Sequence, residues 1–303
     1  MNPWVKAAAA ATSVGAGVLA WSLVEARSYV VRQLSARALE PGARPIRILH
    51  LSDLHLTPSQ SHKVQWVRSL ARYRPDLVVD TGDNLAHVDA VPTALHALEP
   101  LLEFPGVFVH GSNDYYAPRF KNPLTYLKRP TELHDSPTSL DTDSLTAGLT
   151  RAGWLDLNNA RGALEIGGQR VTFVGLDDPH LGLDALPVTA DDSGSLRIGV
   201  THAPYTRTLD ALQRDGASVI LAGHTHGGQV CVPGYGALVT NCDLDTSRAS
   251  GLHGWPGPRP DAPGGSESAW LHVSAGVGTS PYTPVRVACR PEVTMLTLMP
   301  REA

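Results

Sequence analysis

Six short apolar runs, each closing on polar residues, set the tightest limit on how this chain can fold. They are IRILHLSD from Ile46, DLVVDTGD from Asp76, GVFVHGSND from Gly106, RVTFVGLDD from Arg170, LRIGVTHAP from Leu196 and SVILAGHTH from Ser218. Runs of this length with turn residues behind them read as strands. Helical spacing appears between them: Val64, Val67, Leu70 and Ala71 share one face, as do Val91, Leu95, Leu98 and Leu102. Strands alternating with helices predict an α/β arrangement whose chemistry sits at the C-terminal ends of the strands. At 303 residues and 42% hydrophobic, the chain is long enough for one sizeable core.

Five of the strand ends carry side chains able to bind metal. Asp53 and His55 are spaced i, i+2, which projects both to one side of an extended segment. Asp83 follows a glycine, Asn113 and Asp114 close the third run, His202 the fifth, and His224 and His226 the sixth. Each alone has a bland reading: a lone histidine is usually core or surface, and a lone aspartate usually caps a turn. The argument is their conjunction in one chain. A mixed nitrogen and oxygen donor set suits Zn, Mn or Fe better than Ca or Mg. The 13 histidines agree with a metal, whereas a net charge of −4 and pI near 6.3 leave no basic footprint for nucleic acid. Neither a GxSxG elbow nor a Walker loop is present.

Taken in order, Asp53-x-His55, Gly82-Asp83, the Gly111–Asp114 turn, His202 and Gly223-His224-x-His226 resemble the calcineurin-like metallophosphoesterases. The resemblance runs from about Ile46 to Leu298. The stretches GHTHGGQ, GLDDPH and PEVTMLTL look like the bacterial membrane-anchored branch, which includes phosphodiesterases and UDP-diacylglucosamine pyrophosphohydrolases. The resemblance implies a four-layer αββα sandwich of two mixed sheets flanked by helices. It implies two divalent ions, Mn, Zn or Fe. Asp53, His55 and His226 would hold the first, Asp83 would bridge, and Asn113, His202 and His224 would complete the second. The implied reaction is hydrolysis of a phosphodiester or pyrophosphate by a metal-bridging hydroxide. The substrate would be a phosphorylated small molecule or lipid-linked phosphate.

One position departs from the family. Its turn reads Gly-Asn-His followed by an acid, whereas this one reads Gly111-Ser112-Asn113-Asp114. Without a gap, Ser112 replaces the ligand asparagine. With a slip of one, Asn113 keeps that role, and an amide oxygen is the better hard-ion ligand. Either way the catalytic histidine is missing, and Asp114, His110 and His180 are the candidates to replace it. The rival reading is a degenerate domain that keeps metal and acts as a binding module. A metallo-β-lactamase would want HxHxDH, and His226 is followed by Gly-Gly-Gln.

The rest concerns the flanks and loops. Residues 1–28 read as an uncleaved membrane anchor or a signal segment, since Ala7 to Val24 carries no charge. The expectation is therefore a transmembrane helix and a membrane-associated protein, on a side the few flanking charges leave open. Residues 29–45 read as a linker and 46–303 as the catalytic domain. Tyr115 to Asp135 mixes aromatics and cations beside the site, a place for phosphate or simply an exposed loop. The Pro- and Gly-rich stretch 251–270 reads as a flap or surface insertion. Asp177 and Asp178 either orient a ligand or form a turn before Pro179. Cys231, Cys242 and Cys289 read as bystander thiols, with a Cys231–Cys242 bridge open if the chain is exported.

Overall fold

The structure, a computed structural model, describes residues 2–120, 137–188 and 196–302. Every one of the six runs forms a strand. Sheet one contains β1 (Val30–Leu39), β2 (Ile46–Leu51), β3 (Leu77–Asp80), β4 (Gly106–Phe108), β5 (Leu155–Asp156) and β14 (Glu292–Pro300), in the order β1-β14-β2-β3-β4-β5. Sheet two contains β6 (Arg161–Ile166), β7 (Gln169–Leu176), β8 (Leu196–Thr201), β9 (Val219–Ala222), β12 (Gly251–Trp255) and β13 (Ala269–Val273), in the order β12-β13-β9-β8-β7-β6. Both sheets are mixed. β2 to β5 run parallel beside an antiparallel β14, and β7, β8, β9 and β13 run parallel between antiparallel β6 and β12. A short hairpin, β10 (Cys231–Val232) and β11 (Gly236–Ala237), stands apart from both.

Strands buried on both faces must be apolar throughout, which explains the continuous runs. In β2, Ile46 and Ile48 point between the sheets while Leu49 and Leu51 point outward. Val219 and Leu221 of β9 likewise face the inter-sheet core, and Ile220 faces the other way. Outside sheet one, α2 (Ser61–Arg68), α3 (Val91–Leu98) and α5 (Thr142–Arg151) bury Val64, Val67, Val91, Leu98, Leu145 and Leu149. Outside sheet two, α6 (Thr206–Arg214) buries Leu209 and Leu212. A one-turn helix, α4 (Ser112–Tyr115), follows β4. Two mixed sheets thus lie between helices, as the resemblance implies, and strands alternate with helices as the spacing predicts.

Three expectations are corrected. The transmembrane helix is not found: among the described residues no helix is long and apolar enough to cross a membrane. A 23-residue helix, α1 (Pro3–Glu25), does form there. Thr12, Ser13, Gly15 and Gly17 interrupt its apolar sequence, and its C-terminal end turns into the body. Glu25 accepts the Cys289 amide at 2.7 Å, and the Ser22 carbonyl accepts the Arg286 amide at 3.1 Å. The proposed linker 29–45 contains β1, paired in parallel with β14 from Val30 to Leu39. The supposed flap begins with β12, paired with β13 from Gly251 to Trp255. Of the aromatic and cationic segment, Lys121, Tyr126, Lys128 and Arg129 lie outside the described residues.

Candidate metal centre

Three of the strands behind the centre come from each sheet, β2, β3 and β4 from one and β7, β8 and β9 from the other. The loops beyond them are sharply bent. Asp53 (φ 53°), His55 (φ 42°), Asp83 (φ 58°), His224 (φ 68°) and His226 (φ 49°) all have left-handed backbones. That region costs an ordinary L-residue about 1–2 kcal/mol, and such outliers gather at functional sites. Gly111 has no such freedom to exploit but has no room either: a Cβ there would strike the Asp83 carboxylate and the His202 ring.

The side chains converge. His55 Nε2 and His226 Nε2 lie 3.2 Å apart, and Asp53 Oδ1 is 3.9 Å from the former and 3.5 Å from the latter. Asp83 stands between this group and the next, with Oδ2 3.4 Å from His55 Nε2 and Oδ1 3.5 Å from His202 Nε2. His224 Nδ1 is 3.3 Å from His202 Nε2. Asn113 reaches Asp83 twice, donating from its backbone and from its side-chain amide, each at 2.7 Å. All seven residues the sequence nominated as ligands therefore meet in one place. Two triads, Asp53–His55–His226 and Asp53–Asp83–His202, have donor atoms within 4.8 Å of one another.

A cation fits these residues. Asp53 Oδ1 is fully buried without a hydrogen-bond donor, though it faces two imidazole nitrogens. A buried carboxylate oxygen left so is costly unless something positive meets it. Carbonyls hold the rings in place: Thr81 O lies 2.7 Å from His202 Nδ1, and Gly278 O lies 3.2 Å from His226 Nδ1. Each would take the Nδ1 proton and leave Nε2 as the lone-pair donor. Burial drives His55 down to about 4 and His224 and His226 well below the usual imidazole range, so these rings are neutral at physiological pH. Burial pushes Asp53 up to about 6. His202 feels the same burial, but Asp83, Asp53 and Asp178 outweigh it and raise the ring to about 9.

The three candidate proton donors fare differently. Asp114 is not one. Its oxygens accept backbone N–H groups from Asp83 at 2.8 Å, Asn84 at 2.8 Å and Gly111 at 3.0 Å, so it clamps two loops together. His110 is buried under the turn, with Nε2 2.7 Å from Thr146 Oγ1 and its ring edge-on to Tyr115. Its partners are structural, and no contact with the ligand group is among them. His180 lies beside the centre: its ring is 4.8 Å from that of His224, it is half-buried, and Nδ1 is 3.0 Å from the Tyr205 hydroxyl. Asp177 and Asp178 build the corner that carries it. Asp177 accepts the Tyr115 hydroxyl at 2.8 Å, and Asp178 accepts the His180 amide at 3.0 Å.

Sequence reasoning gave the supports no role, although Arg286 looks similar to a family position near the C-terminal strands. Lys63 is buried and donates to the carbonyls of Leu54 at 2.7 Å and His55 at 3.2 Å. Arg286 is fully buried and donates to the carbonyls of Ala275 at 2.7 Å, Gly276 at 3.1 Å and Gly278 at 2.7 Å. Ser52 donates to Asp53 Oδ2 at 2.5 Å. Lys63 had one signal, its rarity among only four lysines.

The calcineurin-like phosphoesterase family profile matches residues 46–228, more than half the chain. The chain belongs to that family and is a metal-dependent phosphoesterase. It is 25% identical to phosphodiesterase YaeI of Escherichia coli over 85% of this chain and 83% of that one. It is 27% identical to an uncharacterized metallophosphoesterase of Aquifex aeolicus over 85% and 87% respectively. Against the solved NAD nucleotidase of Haemophilus influenzae the TM-score is 0.44 at 13% identity, covering 77% of this chain and 46% of that one.

Proposed function

We propose that the chain hydrolyses a phosphodiester or pyrophosphate in a phosphorylated small molecule, with two divalent cations held by the seven converging residues. The observation that carries this reading is the placement of Asp83, whose two oxygens face His55 on one side and His202 on the other at 3.4 and 3.5 Å. Asp53, His55 and His226 would hold one ion, Asn113, His202 and His224 the other, and Asp83 both. Ions there would polarise the phosphoryl oxygens and acidify a shared water. Asn113 and Asp114 keep Asp83 oriented, one through its carboxylate and one through its amide. His180, seated by Tyr205, delivers a proton to the leaving oxygen. The motif histidine being absent, a leaving group that is already a good one suits this site best.

Turnover of bis-p-nitrophenyl phosphate with Mn, Zn or Fe supplied tests the reading. Activity is expected, and His180→Ala should cost little on this good leaving group but about 10²–10⁴-fold on a diester whose leaving alkoxide needs a proton. Bound metal without turnover would instead favour the binding module.

A further inference from the structure

Cys231 and Cys289 are 58 residues apart in sequence (289 − 231) but pack into one small cluster, each with its sulfur on the Gly227 carbonyl. A parallel bridge between Val230 and Val287, with the Cys231 amide donating to Val287 O at 2.9 Å, lays the two backbones side by side. Ala288, with φ 50°, then bends the chain so that Cys289 faces Cys231. Both thiols are free and share a small cluster with Ala237 and Ala249. They are spent on one short turn. Cys231 Sγ donates to Gly227 O at 3.1 Å, and Cys289 Sγ lies 3.2 Å from His226 O and 3.5 Å from Gly227 O. That turn carries His226.

We propose that Cys231 and Cys289 form a reversible disulfide, made by a peroxide, that loosens the His226 turn and weakens its hold on metal. It rests on His226 being a ligand, as read above. Cys289, the more exposed thiol, attacks the peroxide O–O bond, giving a sulfenic acid and one water. Cys231 then attacks that sulfur, the S–S bond forms, and a second water leaves. Two thiols lose two electrons and two protons, and the peroxide is reduced to two waters. The disulfide has no S–H to donate, so the Gly227 carbonyl loses both of its sulfur partners, whereas the His226 carbonyl keeps the Gln229 amide at 2.9 Å and Arg286 at 3.3 Å. A buried acceptor without its donor is destabilised, and the turn shifts to recover one. Cys242 takes no part: its sulfur lies near Pro204 O, and it packs against a different cluster.

The full chain is treated with hydrogen peroxide, then with dithiothreitol, and followed by intact mass, peptide mapping and bound manganese. Wild type is expected to lose two hydrogens, to yield a 231–289 cross-linked peptide, and to bind manganese about 10-fold or more weakly until reduced. Cys242→Ser is expected to behave the same, Cys289→Ser to keep its mass and its metal, and Cys231→Ser to form no cross-link and gain oxygen at Cys289 instead. A cross-link to Cys242, two unreacted thiols in the folded protein, or a 231–289 disulfide with manganese binding unchanged would each overturn the proposal. Because mass and metal are read directly, a chain that binds manganese but hydrolyses nothing would sink the enzymatic reading and leave this one standing.

Discussion

Asp83 and Asp114 touch through a single backbone amide, yet their carboxylates do opposite work. One is surrounded by histidines and an asparagine amide, the other by three backbone N–H groups with the His110 ring beside them. Asp83→Asn is therefore expected to lose bound metal and activity while the fold survives. Asp114→Ala should leave three buried donors unpaired and lower stability by a few kcal/mol, about 1–3 for each group left unmet. Metal content by mass spectrometry and Tm by circular dichroism separate the two, and a metal-free but equally stable Asp114→Ala would contradict the clamp. Ser112 and Asn113 pose a finer question. The Asn113 side-chain amide holds Asp83 Oδ2 at 2.7 Å, so Asn113→Ala should cost more metal than Ser112→Ala. The reverse order would make Ser112 the ligand.

Elements differ in how plainly the sequence announced them. β2, β3, β4, β7, β8 and β9 were legible because strands buried on both faces leave apolar runs, and all but β7 end in the candidate ligands themselves. β1 was not, since VVRQLSARAL mixes charge into an edge position and its fully buried residues, Ala36, Ala38 and Leu39, sit on a strand whose partner β14 lies at the far end of the chain. β12 hid in the same way, behind prolines and glycines. Arg286 and Lys63 were illegible for a different reason: their partners are backbone carbonyls, which no side-chain pattern reveals. The contrast between α1 and β1 can be measured. Among the described side chains of α1 only Ser22 and Glu25 are buried, so deleting residues 2–19 should leave Tm within about 2 °C, whereas deletion through Leu39 should abolish the cooperative melt. A chain that still melts cooperatively without β1 would refute the role given to that strand.

The two sheets meet, below the metal centre, at a pair of histidines. His50 of β2 and His272 of β13 face each other with Nδ1 atoms 2.8 Å apart, both fully buried. Burial lowers His272 to about 3, and burial with the neighbouring ring lowers His50 well below its usual value. In the unfolded chain each titrates near 6.5, so between there and the folded pKa the unfolded state binds more protons. Stability therefore falls as pH drops below about 6.5, and the loss continues towards pH 3. Replacing one ring isolates the effect: His272→Gln should lose less Tm than wild type on acidification from about pH 7 to 4. Parallel curves would mean the pair does not titrate as described. The five left-handed residues of the rim carry a different implication for the molecule. Asp53, His55, Asp83, His224 and His226 all hold a backbone that glycine adopts at no cost. A search that ranked substitutions by durability alone would be drawn to glycine at those five positions. It would return a tougher protein in which only Asn113 and His202 remain of the seven converging side chains.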